Sequence, residues 1–305
     1  MGLISCYSEL TVQLSQKSLC SNHKNIVSNS ISPSLTPSIQ TVVTNLYTTT
    51  LSTGIRHLIT VTWCRNTTTQ GFEINSGDDP TTGFRLNTNS RFFRKKKGSK
   101  SFEINDSKFE VFYDLSSAQY ATGAEPVERY YVVILVDSEL GLFLGDMLEA
   151  FFKKVKINKQ NVKFNLISRR ECIYGNTLYS TKARFSDTGE CHDILIQCTG
   201  EGNGVVKRPC LLVSIDKRVV VRVKRLQWNF RGNQTIFVDG LSVDLMWDVH
   251  DWFFTSRCGS GSGSGHGVFM FRVRNGLDSM LWLEDKKKIK DEKKEFTLLV
   301  YAIKS

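Results

Sequence analysis

No stretch of this 305-residue sequence approaches the roughly 18 consecutive apolar residues that a membrane-spanning helix needs. Met1 to Cys20 is mostly polar and lacks the basic-then-apolar layout of a secretory leader. Cys6 stands where a myristoylation signal wants Ser or Thr. The expectation is therefore an intracellular chain, in cytoplasm or nucleus, that is neither secreted nor membrane-spanning. In that setting its 8 cysteines are expected as reduced thiols. They include no C-x₂₋₄-C pair, so Cys191, His192, Cys198 and Cys210 do not read as a structural zinc site. Neither a Gly-x-Gly-x-x-Gly nor a following Gly-Lys-Ser/Thr accompanies the run Gly259–Gly267 (GSGSGSGHG), which excludes a phosphate-binding loop. Alternating Gly and Ser reads instead as a flexible connection. No metal and no cofactor are expected. Helical periodicity is scarce as well. It is clear only at Asp146–Lys156, where Asp146 and Glu149 suit a capping box and Leu148, Phe151, Phe152 and Val155 form one stripe.

What is present is β-texture. Arg56–Cys64 (RHLITVTWC) is β-branched and aromatic. Phe102–Leu115 alternates through a turn at Asn105-Asp106, and Tyr130–Val136 (YYVVILV) suits a strand buried on both faces. The length favours two domains, and 40% hydrophobic with 23% charged residues is a globular balance. We divide the chain into a disordered Ser/Thr-rich arm at 1–42, a β-domain at 43–145, a helix and linker at 146–176, and a second β-domain at 177–305.

The second β-domain repeats the pattern of the first. Gly98–Tyr120 lies over Gly232–Phe254 without a gap, with Gly98/Gly232 and Asp114/Asp248 identical. Phe109, Val111, Tyr113 and Leu115 take one strand face, matched by Val243, Leu245, Trp247 and Val249. The turn Asn105-Asp106 is matched by Asp239-Gly240. Leu46–Thr48 pairs with Leu178–Ser180, Ile59–Trp63 with Ile194–Cys198, and Tyr131–Val136 with Val268–Val273. The expected fold class is all-β: tandem duplicated β-sandwich-like domains, or small barrels, with one connecting helix. Periodicity leaves open whether the two units are separate or share one sheet.

Several phrases resemble the plant family known as domain of unknown function 868: LITVTWC at 58–64, KKKGSKS at 95–101, DLSS at 114–117, VKRLQWNFRGNQTI at 223–236 and WDVHDW at 247–252. The resemblance covers about 45 to 275. It implies a plant protein and carries no catalytic or binding residues. A polar insert at 66–82 departs from the family pattern and reads as a loop.

Two constellations bear on function. Asp248-Val249-His250-Asp251 sets a histidine among carboxylates, as acid–base chemistry would require. Asp114, the counterpart of Asp248, has no such histidine, and an aspartate in both halves suits a turn that accepts backbone hydrogen bonds. The other constellation is basic. Arg94, Lys95, Lys96 and Lys97 interleave with aromatics, and Arg222, Lys224, Arg225 and Arg231 lie in comparable positions within KRVVVRVKRLQWNFRG. Such strands can neutralise phosphates and stack bases, or dock on anionic headgroups. They equally suit edge strands protected against pairing. With a net charge of +10, the functional expectation is a non-enzymatic binding or scaffold protein. Its partner is a protein or an acidic surface, the latter nucleic acid or anionic lipid. An enzyme using Asp248 and His250 is the remaining alternative.

Overall fold

In the computed structural model the described residues are 38–66, 70–76, 83–87, 96–104, 106–153, 155, 163–201, 208–254, 265–274 and 296–304. Most of them are strand. The first half runs β1 (Ile39–Thr50), β2 (Arg56–Arg65), β3 (Gln70–Ser76) and β4 (Gly83–Asn87). It continues with β5 (Lys97–Ile104), β6 (Ser107–Asp114), the short β7 (Gln119–Tyr120) and β8 (Pro126–Glu128), then β9 (Tyr131–Val136) and β10 (Glu139–Gly145). A five-residue helix α1 (Leu148–Phe152) and a long strand β11 (Lys163–Gly175) follow. The second half comprises β12 (Leu178–Ala183), β13 (His192–Glu201), β14 (Arg208–Ile215), β15 (Arg218–Val223), β16 (Arg231–Val238) and β17 (Leu241–Asp248). Helix α2 (His250–Phe254), β18 (His266–Val273) and β19 (Thr297–Lys304) complete it.

The all-β expectation holds, and the two halves share one sheet. A nine-stranded sheet runs β16-β17-β18-β19-β11-β1-β2-β3-β4. It is antiparallel throughout except where β11 meets β19 in parallel. Two four-stranded sheets, β10-β9-β6-β5 and β12-β13-β14-β15, pack on it. They lie on the same face. Val43 of β1 is opposite Glu171 of β11, and Ile173, two residues on, shares Glu171's side; Val43 lines the first core and Ile173 the second. The first core includes Trp63, Phe72, Phe109 and Ile134; the second includes Tyr179, Leu211, Trp247 and Phe269. Burying each such side chain stabilises the fold by about 1.5–3 kcal/mol.

Each half has the same strand order. Four strands form a meander in one sheet (β1–β4, β12–β15), and four more form a second (β5, β6, β9, β10 against β16–β19). The segments matched in sequence fall on strands of equal rank. The turns obey the hairpin rule: Asp239 and Gly240 have φ of 50° and 75°, the two-residue turn that suits strand twist. Asp106 has φ 62°, and its neighbour Asn105 lies outside the described residues.

Several local expectations are corrected. The polar insert at 66–82 contains β3, in which Phe72 and Ile74 point into the core while Glu73 and Asn75 alternate outward. The linker at 146–176 contains β11, whose charged residues hide its alternation. The first strand begins at Ile39, inside the segment assigned to the arm; residues 1–37 lie outside the described ones. The helix is five residues long and has no side-chain cap. Asp146 accepts the Tyr130 N–H at 3.1 Å instead, which holds the chain at the exit of β10. The intended stripe still packs: Phe151 is buried, with Leu148, Phe152 and Val155 against Tyr131, Val133 and Leu135 on the outer face of β9. That cover makes all six residues of β9 buried, as its continuous apolar run predicts. A second helix, α2, takes residues that match a strand-and-loop pattern in the first half. The Gly-Ser run through Ser264 and the lysine-rich stretch 286–294 lie outside the described residues.

Candidate binding surface

The basic residues of the second half sit where two sheets end. β15 is the edge of its four-stranded sheet and β16 is the edge of the nine-stranded sheet, so 224–230 connects edge to edge. Leu226 is fully buried and anchors this connection, its N–H donating to Pro209 O at 3.0 Å. Arg225 has φ 52°, and its carbonyl accepts the N–H groups of Trp228 (2.9 Å) and Asn229 (3.1 Å). The Asn229 side-chain amide donates to Lys224 O at 2.9 Å. On the inner side the Trp247 indole donates to Asn229 O (3.0 Å), and Val249 N–H to Phe230 O (2.8 Å). The loop is thus tied to the core on both flanks, and it holds Trp228 out at 82% exposure. An indole that large is normally half or more buried.

Arg222, Lys224, Arg225 and Arg231, which flank it in the chain, are all exposed. Arg231 is engaged: its Nε donates to Asp248 at 2.8 Å, and its guanidinium lies over the Phe230 ring. Among the described residues no carboxylate pairs with Lys224 or Arg225. In the first half, Lys96 and Lys97 are exposed at the start of edge strand β5, and Lys97 pairs with Asp114 at 3.0 Å. Arg94 and Lys95 lie outside the described residues.

Asp248 and Asp114 perform one task twice. Each stands opposite a cation at the start of the neighbouring edge strand, Arg231 and Lys97 respectively. Each also accepts the N–H two residues on, His250 at 3.0 Å and Ser116 at 3.2 Å. Burial raises the Asp114 carboxyl, but the Ser116 hydroxyl, Lys97 and the Ser116 N–H outweigh it and hold the group below the usual carboxylate range. His250 does not share a strand face with Asp248, because β17 ends at Asp248 and His250 opens α2. Its ring packs on Phe230 and Phe254, and Nδ1 meets Asp251 at 3.1 Å.

His192 has a defined position. Nδ1 meets Asp216 at 2.6 Å and Nε2 meets Asp239 at 2.8 Å, which joins the β14–β15 turn to the β16–β17 turn across the core. Burial lowers its basicity, but the two carboxylates outweigh that and raise it. Cys198 lies six residues along β13, roughly 20 Å away. The two cannot share a ligand set. Cys198 packs at the second core, and its thiol is raised by burial; Cys210 is buried, while Cys191 is exposed.

One cluster escapes any motif reading. Arg169 of β11 binds Glu125 at 2.6 Å, Glu171 through Nε, and Asn45 of β1 at 3.2 Å; the Asn45 amide also donates to Glu125 at 2.6 Å. Burial lowers the Arg169 basicity, but Glu125 and Glu171 outweigh it and raise it. Glu171 is completely buried, and its second oxygen has no hydrogen-bond partner among the described residues. The visible signal was an Arg and a Glu two apart in a strand-like run, both on the Ile173 face.

The model for plant protein of unknown function (DUF868) matches residues 38–304, which extends past the limits of about 45 and 275 set by the quoted phrases and takes in β19. No curated protein and no solved structure matches the chain. With the quoted phrases on strands β2, β5, β16 and β17, and a match spanning every described residue, the chain belongs to the DUF868 family of plant proteins of unknown function.

Proposed function

We propose that this chain is a non-catalytic, intracellular binding protein built by tandem duplication, and that the edge-to-edge loop of its second half is the face that meets an acidic partner. The observation carrying this reading is Trp228. Its loop is fixed by at least four hydrogen bonds and a buried leucine, yet it presents a bare indole beside Lys224 and Arg225. Exposed Trp and Arg on a rigid support have the composition of interaction hot spots. The carboxylate that acid–base chemistry would need at Asp248 is already engaged by Arg231 and the α2 backbone. Duplication is supported by the shared strand order and by the repeated Asp–cation and Gly–aromatic pairs at the two hairpins. Arg94, Lys95, Lys96 and Lys97 are the first half's counterpart.

The test is binding of the full chain to anionic probes, labelled oligouridylate and phosphatidylserine-containing vesicles, across a salt series. At least one probe is expected to bind at low salt and dissociate as salt rises. K224E/R225E should abolish that binding, and K95E/K96E/K97E should weaken it. Binding of neither probe, or binding indifferent to K224E/R225E, would refute the proposal.

A further inference from the structure

Resting on that reading, we infer that the acidic partner is an anionic lipid bilayer surface, with Trp228 seated in the headgroup interface. Three observations favour a bilayer over a nucleic-acid strand. First, the exposed aromatics on this side do not form a row of free platforms. Phe254, 49% exposed, packs against Phe230 and His250, and Phe237, 76% exposed, lies six positions along β16 from Arg231, roughly 20 Å. Successive bases need aromatic platforms much closer together. Second, three of the loop's backbone N–H groups are turned onto the chain itself. The N–H groups of Leu226, Trp228 and Asn229 all bond to carbonyls of the chain. Phosphate-binding loops offer such N–H groups to the ligand. Having them satisfied internally instead lowers the cost of moving the loop into the partly dehydrated interface. Third, the side chains match the interface in kind. Tryptophan prefers the headgroup level, where its ring is half wet and half apolar. Lys224 and Arg225 beside it would face the anionic surface, with Arg231 already neutralised by Asp248.

The attraction of each cation for an anionic leaflet corresponds to roughly a fivefold change in affinity, so charge reversal at two positions compounds to well over tenfold. The rigid loop should place the indole without an ordering cost.

The experiment is co-sedimentation of the full chain with vesicles of phosphatidylcholine alone and of phosphatidylcholine with phosphatidylserine, alongside labelled oligouridylate and soluble glycerophosphoserine. The expected result is binding to the anionic vesicles only. W228A should weaken it at least tenfold, and quenching by brominated acyl chains should disappear in W228F. Because Trp228 is so exposed, both variants should keep the wild-type unfolding midpoint, which separates lost binding from lost folding. If oligouridylate or glycerophosphoserine binds through Lys224 and Arg225 while vesicles do not, the bilayer inference falls and the acidic-surface reading stands. Vesicle binding indifferent to Trp228 also overturns the inference. If no anionic probe binds, both fall together.

Discussion

The hairpins β5–β6 and β16–β17 are the same device set in different surroundings. In each, a glycine near the start of the edge strand faces an aromatic on its partner: Gly98 opposite Tyr113, and Gly232 opposite Trp247. The missing side chain lets the ring lie across the strand, a known way of covering a glycine at an edge. Each hairpin ends in the same aspartate, tied to a cation and a following N–H. What differs is the covering. In the first half α1 closes the outer face, so β9 is buried throughout. In the second half that face stays partly open: β18 alternates, with Val268 and Met270 half-buried and Arg272 exposed. One strand order therefore serves as a closed platform on one side and as the carrier of an exposed loop on the other.

The strongest way to break this comparison is to cut the tie between the halves. Arg169→Met leaves Glu125 and Glu171 facing each other's field at the joint, with Glu171 fully buried. Losing one member of such a network costs about 3–5 kcal/mol. We expect the denaturant midpoint to fall accordingly, and R169M/E171L to recover part of the loss. A loss under about 1 kcal/mol for R169M would show that the cluster does not hold the joint.

Phe151→Ala asks whether the covering of β9 matters. The ring is buried against Tyr131 and Phe112, so removing it should cost about 3 kcal/mol. Met270→Ala on the half-open face of β18 should cost about 1 kcal/mol or less. Equal losses in equilibrium unfolding would mean that the two outer faces are equivalent after all.

Much of this was legible from alternation. β2, β6, β9 and the end of β5 from Phe102 follow from their apolar periods, as does the hairpin turn at Asp239-Gly240. Long-range pairing was not legible. Nothing local in Lys163–Gly175 says that it joins β1 on one side and β19 on the other, because Arg169 and Glu171 occupy inward positions and interrupt the apolar pattern. β3 was hidden for a related reason: with two inward apolar residues, Phe72 and Ile74, it is too short to stand out from polar neighbours. At the candidate surface the cations were visible. The exposure of Trp228 rather than Phe230 was not, since it depends on the turn at Arg225 and on what Leu226 fills.

The glycines give a graded test. A Cβ on Gly232 would come within 2.3 Å of Trp247 Cζ2, and the indole is held by its bond to Asn229 O. Gly232→Ala should cost about 1–3 kcal/mol, as overpacking does. At Gly98 the nearest atom is the Tyr113 hydroxyl oxygen at 3.1 Å, at the end of a side chain that can shift. Gly98→Ala should cost less than about 1 kcal/mol. Thermal unfolding of the two single variants compares them directly, and the reverse order would mean that the rings do not lie over the glycines as described.

The smallest expected effect is on pH, and it belongs to the second half, where, alone among the described residues, a histidine joins the turns of two sheets. His192 is more basic in the folded chain than its ordinary value of about 6.5. Its contribution to stability is fully present below that value and is lost as pH rises through the raised folded value. Asp216 runs the other way: hydrogen bonds from His192 and the Asp193 N–H lower it, so its contribution is present above about 3.9 and is lost as pH falls through the lowered value. The bridge is therefore strongest between roughly pH 4 and 6.5. Because both carboxylates are substantially exposed, solvent screening keeps the effect modest. The difference in unfolding midpoint between wild type and His192→Gln, measured across this range, should be largest near pH 5 and shrink toward pH 8. A difference that grows with pH would mean that His192 bridges the turns as a neutral ring, and that its two carboxylates do not hold the proton.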